Sequence, residues 1–314
     1  MRDLVMVVGS GMMGSGIGAM SALAGNRTML VDTSAERAEN GRRKAIDCIR
    51  LREENGLNTH EEAERAVSLL ETGTDSIAAA DQARLVIEAI VENVEAKQDL
   101  FASLDAVLPV EVPICSNTSG LRITDISAKC AHPERTVTTH FWLPAHLVPL
   151  VEVVMGDRTD EAVAVAVRDE LRGWKKAPVL VRCDLPGQLA NRVFQAIIRE
   201  SIDIVASGLA SAEDVDTAIS CGMAMRFPVW GPLKHLDAIG LELGLSVQDT
   251  VLPSICADRT ASPYIRQLVE QGDLGAKTGK GFYDWSQRSI DADMKKRDAF
   301  IIEAVKAVER VEHQ

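Results

Sequence analysis

The chain has 314 residues, of which 46% are hydrophobic and 25% are charged, a balance typical of a globular protein large enough for two domains. Its apolar runs stay well short of the ~18–20 residues of a membrane-spanning helix, and the first residues lack the pattern of a signal peptide. The net charge of −12 disfavours nucleic acid and anionic membranes as partners.

Short β-branched runs alternate with helical stretches through the first half of the chain, a pattern typical of a parallel sheet covered by helices. Between the second and third predicted strands, residues 34–70 form a polar insert with helical spacing and many charges. The seven predicted strands span residues 4–8, 28–31, 85–89, 114–116, 137–140, 150–154 and 179–181.

The first predicted strand leads into a glycine-rich turn, Gly9-Ser-Gly-Met-Met-Gly14, that opens a helix. Gly9 permits the tight turn, Gly11 lets the backbone approach a pyrophosphate, and Gly14 lets helix and strand pack closely. The amides at Met12 and Met13 then belong to a helix N-terminus, where phosphates bind.

Asp32 ends the second predicted strand, 18 residues after Gly14. A carboxylate there accepts hydrogen bonds from ribose hydroxyls and repels a 2′-phosphate. Thr33 and Ser34 follow it rather than an arginine, so NAD is favoured over NADP as the cofactor. A plain strand–turn–helix is the alternative, but the complete unit favours a Rossmann-type dinucleotide site.

The pattern changes near Asp184-Leu-Pro-Gly187, where proline and glycine suit a domain junction. From Gln188 onward apolar residues recur at helical spacing, and no strand is predicted. The predicted fold class is therefore α/β, with a Rossmann-type, mostly parallel sheet domain at residues 1–184. An all-α C-terminal domain at residues 185–314 follows, and we expect it to complete the substrate site and to dimerise. The helix at 193–205 is apolar on more than one side, which favours burial in a domain core or in a homodimer interface.

His140 and Glu152 form the candidate catalytic pair. Glu152 lies in an apolar predicted strand, where an ionised carboxylate is costly without a partner. A carboxylate bonded to one imidazole nitrogen fixes the tautomer and raises the basicity of the other nitrogen. Such a pair could remove the proton of an alcohol as its hydride leaves for NAD, although a surface or interdomain salt bridge fits the spacing equally well.

The remaining histidines and the cysteines predict neither a metal site nor a disulfide framework. The six cysteines are scattered without CxxC pairing, which indicates reduced thiols in a cytoplasmic protein. The other histidines share no ligand spacing with cysteines or carboxylates; they are His60, His132, His146, His235 and His313.

Across nearly its whole length the sequence resembles the 3-hydroxyacyl-CoA dehydrogenases and their relatives. Seven blocks in order carry the resemblance: the glycine turn with Asp32; residues 87–93, Ile-Glu-Ala-Ile-Val-Glu-Asn; residues 116–121, Ser-Asn-Thr-Ser-Gly-Leu; His140 with Glu152; residues 184–192, Asp-Leu-Pro-Gly-Gln-Leu-Ala-Asn-Arg; Gly231-Pro232; and residues 277–283, Lys-Thr-Gly-Lys-Gly-Phe-Tyr.

The resemblance implies roles for individual residues. His140 is similar to the family's general base and Glu152 to its paired carboxylate, while Ser119 and Asn191 match the polar groups that orient the substrate oxygen. Because Asn191 belongs to the predicted helical domain, catalysis would need the two domains to close. The positions that match contacts to the ribose and nicotinamide side of NAD are Glu92, Lys97 and Asn117.

Three departures from the family bear on the substrate. Residues 141–144 read Phe-Trp-Leu-Pro, where the acyl-CoA enzymes typically have Phe-Phe-Asn-Pro. The insert that resembles the lysine-rich, CoA-binding region has mixed charges, typical of a solvated face. Arg226 stands where the acyl-CoA enzymes lack an arginine, so that segment is more similar to relatives acting on free acids, such as L-gulonate and carnitine dehydrogenases. A guanidinium can pair bidentately with a substrate carboxylate, although a structural ion pair is the alternative.

The substrate therefore stays open among a free hydroxy acid, a 3-hydroxyacyl-CoA, and a ring-bearing carboxylate of the kind met in vitamin B6 breakdown. Trp142 and Trp230 could stack on a ring, but tryptophans more often fill cores. A catalytically silent relative, like the structural lens proteins of this family, is the non-enzyme alternative. The intact set of His140, Glu152, Ser119 and Asn191 argues against it.

Overall fold

The computed structural model describes residues 2–312, and the side chains of residues 2–308. The chain divides into two compact units, of which the first ends at Leu189 and the second begins at Ala190. The division therefore lies slightly C-terminal to the junction predicted at residue 184.

The first unit is built on a sheet of eight strands. They are β1 (Leu4–Val8), β2 (Arg27–Val31), β3 (Leu70–Gly73), β4 (Ala83–Glu88), β5 (Ile114–Ser116), β6 (Thr136–Phe141), β7 (Leu150–Val154) and β8 (Ala177–Val181). Their order across the sheet is β3-β2-β1-β4-β5-β6-β7-β8. Every neighbouring pair is parallel except β6 and β7, which are antiparallel. The predicted mostly parallel α/β fold is confirmed.

Sequence reasoning missed β3, since the polar insert with helical spacing was predicted over residues 34–70 and ends at the first residue of this strand. The strand is only four residues long, Leu-Glu-Thr-Gly, and Leu70 is its one buried residue. It lies at the edge of the sheet, where one partner strand suffices and an alternating apolar pattern is not required.

Six helices connect the strands: α1 (Met12–Leu23), α2 (Ala35–Glu54), α3 (His60–Ser68), α4 (Val94–Val107), α5 (Ile123–Ile126) and α6 (Glu161–Gly173). Residues of β1 face alternate sides of the sheet, with Val5 and Val7 in one apolar core and Leu4, Met6 and Val8 in the other. Both faces of the sheet are thus buried, as a parallel sheet requires.

The second unit is helical, as predicted. Its helices are α7 (Ala190–Ala206), α8 (Ala212–Thr217), α9 (Pro232–Ile239), α10 (Leu241–Val251), α11 (Pro263–Glu270) and α12 (Ile290–Glu312), with a π-helical turn at Ala218–Met223. Isolated bridges link Lys280 to Gly275 and Asp284. Of the two alternatives for the helix at 193–205, burial in the core of a domain is wrong, because α7 holds no buried residue and Val193 is 53% exposed. Burial in a homodimer interface stays a prediction.

All six cysteines are free thiols; Cys115 and Cys130 are buried, whereas Cys183 and Cys221 are exposed. Over residues 2–312 the structure contains no helix with the length and apolar character needed to cross a bilayer. A cytoplasmic location stays a prediction.

Candidate active site

The turn between β1 and α1 has the backbone geometry that its three glycines imply. Gly9 has φ +98°, and a Cβ on it would lie 2.5 Å from the Ala89 carbonyl oxygen. A Cβ on Gly14 would lie 1.8 Å from the Gly9 carbonyl oxygen, so the helix can pack on the turn only with glycine there. Around Gly11, by contrast, a Cβ would meet nothing within 4 Å. That side of the turn is open to a ligand.

The N-terminus of α1 is suited to a pyrophosphate. No side chain caps it, and its first turn, which contains Met12 and Met13, holds no acidic residue. Its unpaired N–H groups and partial positive charge are therefore available to an anion. Met12 is 70% exposed, which leaves the approach to these amides open.

Asp32 follows β2 and faces the glycine turn. Its Oδ2 accepts hydrogen bonds from the Ser10 amide at 3.0 Å and the Ser10 hydroxyl at 2.8 Å, and its Oδ1 accepts one from the Thr33 amide at 2.8 Å. Partial burial favours the neutral acid, but these hydrogen bonds outweigh it and lower the pKa of Asp32. The carboxylate that would receive ribose hydroxyls is thus ionised and held in place.

A buried carboxylate that sequence reasoning missed, Glu88, lies at the carboxyl end of β4. Its side chain is fully buried, and it accepts hydrogen bonds from Lys97 Nζ at 2.5 Å, Ser116 Oγ at 2.6 Å and the Ile90 amide at 2.7 Å. These donors, one of them an ammonium, offset the cost of burying the charge. Lys97 is therefore buried as well, with 1% of its side chain exposed.

Glu92 contacts two of the other predicted site residues, Lys97 and Ser119. It lies 3.3 Å from Lys97 Nζ, and it accepts hydrogen bonds from the Thr118 hydroxyl and the Ser119 amide. Burial raises the pKa of Glu92, but the Thr118 hydrogen bond and the Lys97 charge outweigh this effect and lower it. With 43% of its side chain exposed, Glu92 is accessible to a ligand in a way that Lys97 is not.

Asn117 and Ser119 lie in the segment that follows β5. The Asn117 amide donates to the Glu88 carbonyl oxygen at 2.7 Å, and its side-chain Oδ1 accepts from the Phe141 amide at 2.9 Å. Asn117 therefore holds the end of β6, next to His140. Ser119 is exposed, and its hydroxyl is available to a substrate.

His140 and Glu152 face each other directly, because the antiparallel register of β6 and β7 pairs these two positions. His140 Nδ1 lies 2.8 Å from Glu152 Oε2, and the two side chains are 9% and 0% exposed. Glu152 also receives the Trp142 indole N–H on Oε2 at 3.0 Å and the Leu189 amide on Oε1 at 2.9 Å. A carboxylate so placed holds a proton on Nδ1 and leaves Nε2 of His140 as the acceptor.

Two predicted site residues belong to the second unit. Asn191 is the second residue of α7, and Arg226 ends a short 3-10 turn and is exposed. The described residues offer the Arg226 guanidinium no ion-pair partner.

Within the described residues no group of three or more histidine, cysteine, aspartate or glutamate side chains could hold a metal ion. His313 lies outside the described residues.

These features, a glycine turn open at Gly11, an ionised carboxylate after β2 and a buried histidine–glutamate pair, define a dinucleotide-dependent dehydrogenase. Residues 4–184 match the family model described as 3-hydroxyacyl-CoA dehydrogenase, NAD binding domain, and residues 187–285 match the model of its C-terminal domain. The chain belongs to the 3-hydroxyacyl-CoA dehydrogenase family and is an NAD-dependent oxidoreductase.

Individual relatives are named for two kinds of substrate. A probable 3-hydroxybutyryl-CoA dehydrogenase of Bacillus subtilis is 36% identical over 91% of this chain and 98% of its own. The crystal structure of a 5-formyl-3-hydroxy-2-methylpyridine 4-carboxylic acid 5-dehydrogenase superposes with a TM-score of 0.88 at 28% identity, over 98% of this chain and 99% of its own. The (S)-3-hydroxybutyryl-CoA dehydrogenase of Ralstonia eutropha gives a TM-score of 0.74 at 29% identity, over 91% and 100%.

Proposed function

We propose that the protein oxidises a small, carboxylate-bearing substrate at a hydroxyl-bearing carbon, either an alcohol or a hydrated aldehyde, rather than a 3-hydroxyacyl-CoA. His140 Nε2 takes the hydroxyl proton, and Glu152 stabilises the imidazolium that forms. Ser119 and Asn191 donate hydrogen bonds to the substrate oxygen as it becomes a carbonyl. The glycine turn and Asp32 would hold NAD, which would supply the acceptor for the hydride that leaves the substrate carbon.

The observation that carries the proposal is the state of the basic residues on α2. A CoA moiety needs free cations for its phosphates, yet Arg42 is bonded to Glu39 and to the Leu70 carbonyl oxygen at 3.1 Å, and Arg50 to Glu53 at 2.8 Å. Arg52 is 3% exposed. Of the six basic residues of α2, Arg37, Arg43 and Lys44 are exposed to solvent, and Arg37 lies 3.5 Å from the Asp32 carboxylate. Most of the positive charge is thus used within the protein.

The superposition on the pyridine-carboxylate dehydrogenase also supports a small, carboxylate-bearing substrate, because the match covers nearly the whole length of both chains. Trp142 and Trp230 offer rings for stacking on such a substrate. The sequence identity to the hydroxybutyryl-CoA enzyme favours the second candidate, a short-chain 3-hydroxyacyl-CoA.

A paired substrate panel separates the two candidates. We expect kcat/KM, followed as NADH formation, to be at least about tenfold higher for 3-hydroxybutyrate or 5-formyl-3-hydroxy-2-methylpyridine 4-carboxylate than for 3-hydroxybutyryl-CoA. A higher kcat/KM for 3-hydroxybutyryl-CoA would instead favour an acyl-CoA substrate. The absence of turnover with all three compounds would favour a catalytically silent member of the family.

His140→Gln tests the proposed base in the same assay. The amide is similar in size but cannot accept the hydroxyl proton, so we expect kcat to fall by about 10²–10⁴-fold with the affinity for NADH, measured by fluorescence, unchanged. A variant as fast as the wild type would remove His140 from the proposed mechanism.

Arg226 is proposed to pair with the substrate carboxylate. Because a charge-assisted hydrogen bond contributes about 1.5–3 kcal/mol, Arg226→Ala should raise KM for the carboxylate substrate by about 10–100-fold while leaving KM for NAD unchanged. Arg226→Lys keeps the charge but loses the planar guanidinium group. Its KM for the carboxylate substrate should therefore lie between those of the wild type and Arg226→Ala. Equal KM values in all three proteins would exclude Arg226 from the site.

A further inference from the structure

We propose that Trp142 is a positioning residue, which holds the Glu152 carboxylate beside His140 Nδ1 and limits how strongly that carboxylate stabilises the imidazolium. The proposal rests on the proposed role of His140 as base and adds a residue to it.

The geometry joins three groups on one buried carboxylate. Trp142 Nε1 lies 3.0 Å from Glu152 Oε2, the same oxygen that lies 2.8 Å from His140 Nδ1. The indole and imidazole rings are neighbours, with centroids 5.7 Å apart and planes inclined by 49°. The other carboxylate oxygen, Oε1, accepts the backbone N–H of Leu189 at 2.9 Å.

The chemistry of the donors decides the proton positions. An indole N–H and a peptide N–H can only donate, so each oxygen of Glu152 carries one donor that never changes role. Hydrogen bonds to the charged form favour that form, so both fixed donors favour the ionised Glu152 carboxylate. The anion in turn keeps the proton on Nδ1 and leaves Nε2 free for the substrate proton.

The Trp142 bond also limits how strongly Glu152 attracts a proton onto the imidazole. An oxygen that already accepts from the indole offers less electron density to the imidazolium. Removing this donor should therefore make the imidazolium easier to form, so the base would lose its proton only at higher pH. A phenylalanine, typical of the acyl-CoA enzymes at this position, has no such donor.

Trp142→Phe tests the proposal because it keeps a ring of similar shape and removes only the donor. We expect the acid limb of the kcat/KM profile to move to higher pH by about 0.5–1 unit, a part of the roughly 1–2 units that a hydrogen bond to a charged group is worth, because the effect reaches the imidazole through Glu152. Trp174→Phe is the matched control. Its indole donates to the Glu170 carboxylate at 2.8 Å, and the side chain is buried in the same unit. Trp174→Phe should leave the acid limb in place even if it lowers the free energy of unfolding, because Trp174 does not donate to Glu152.

A readout without turnover separates this proposal from the proposed base. In 15N-labelled protein, long-range 1H–15N correlations of His140 distinguish a proton on Nδ1 from one on Nε2. We expect the Nδ1–H form in all three proteins, and a titration midpoint of the His140 ring nitrogens that lies at higher pH in Trp142→Phe than in the wild type and in Trp174→Phe. A midpoint and an acid limb that both stay in place in Trp142→Phe would overturn the proposal. An active His140→Gln would instead overturn the proposed base, and the titration of the imidazole in the wild type and in Trp142→Phe would still decide the role of Trp142.

Discussion

At the scale of single residues, Lys176 is a buried cation held by backbone carbonyls. Its Nζ donates to the carbonyl oxygens of Ala145 at 2.5 Å and Val148 at 2.8 Å, within the segment that connects the strands of His140 and Glu152. Burial, with a smaller contribution from the nearby Arg52 charge, lowers the pKa of Lys176 to about 7.

This pKa predicts a pH dependence of stability. Between about pH 7 and the ordinary lysine range, the unfolded chain binds a proton that the folded protein does not, so the free energy of unfolding rises with pH. The free energy of unfolding of the wild type, taken relative to that of Lys176→Met, should therefore rise from pH 7 to pH 9 by about 1 kcal/mol per pH unit, measured by urea unfolding. Lys175→Met, at an exposed neighbour, should keep the wild-type slope. A difference that does not vary with pH would show that Lys176 stays charged in the fold.

Two buried glutamates show how far residue-level reasoning reaches. Glu152 was predicted from its place in an apolar run, and the same argument applies to Glu88 in Leu-Val-Ile-Glu, where it was not made. The partners of Glu88, Lys97 and Ser116, lie 9 and 28 residues away along the chain, so the sequence alone does not show that they contact it. The Leu189 bond to Glu152 had no sequence signal, because a backbone N–H looks the same at every position.

At the scale of elements, the turn between β1 and α1 contains one glycine needed for packing, Gly14, and one expected to face the cofactor, Gly11. Gly14→Ala places a Cβ 1.8 Å from the Gly9 carbonyl oxygen, so we expect the free energy of unfolding to fall by about 3 kcal/mol or more. Gly11→Ala meets no protein atom within 4 Å and should cost about 1 kcal/mol or less. Its Cβ lies where the pyrophosphate would approach, so the Kd for NADH should rise about tenfold or more.

Thermal unfolding and NADH fluorescence titration measure these two effects. A Gly11→Ala protein that binds NADH as the wild type does would place the pyrophosphate away from this turn.

The same element shows why some of the fold could be predicted and some could not. The glycine turn and Asp32 are local patterns, and the structure has the strand, turn and helix that they predict. Edge strand β3 was missed because its neighbour β2 is far away in sequence and its four residues carry no alternating pattern. The pairing of His140 with Glu152 was predicted as chemistry, but its antiparallel register became visible only in the folded sheet.

At the scale of the whole molecule, the second unit lacks a core of its own. Between residues 190 and 308, Val215 and Ile302 are the hydrophobic side chains that count as buried, whereas the first unit has two extended apolar clusters. Along α7 and α8 an apolar groove of about 670 Å³ is lined by residues such as Val193 and Ile197. A helical unit of this size with so much exposed apolar surface is not expected to remain uncovered in water.

We therefore predict that a second copy of the chain covers this surface. Sedimentation equilibrium should give about twice the 34.0 kDa of one chain, and Val193→Asp should shift the protein towards the monomer. Val110→Asp is the matched control, because Val110 is similarly exposed, at 59%, but belongs to the first unit. It should leave the mass unchanged. A wild-type protein that sediments as a monomer at micromolar concentration would rule out the homodimer, and a dimer that Val193→Asp leaves intact would place the interface away from the groove.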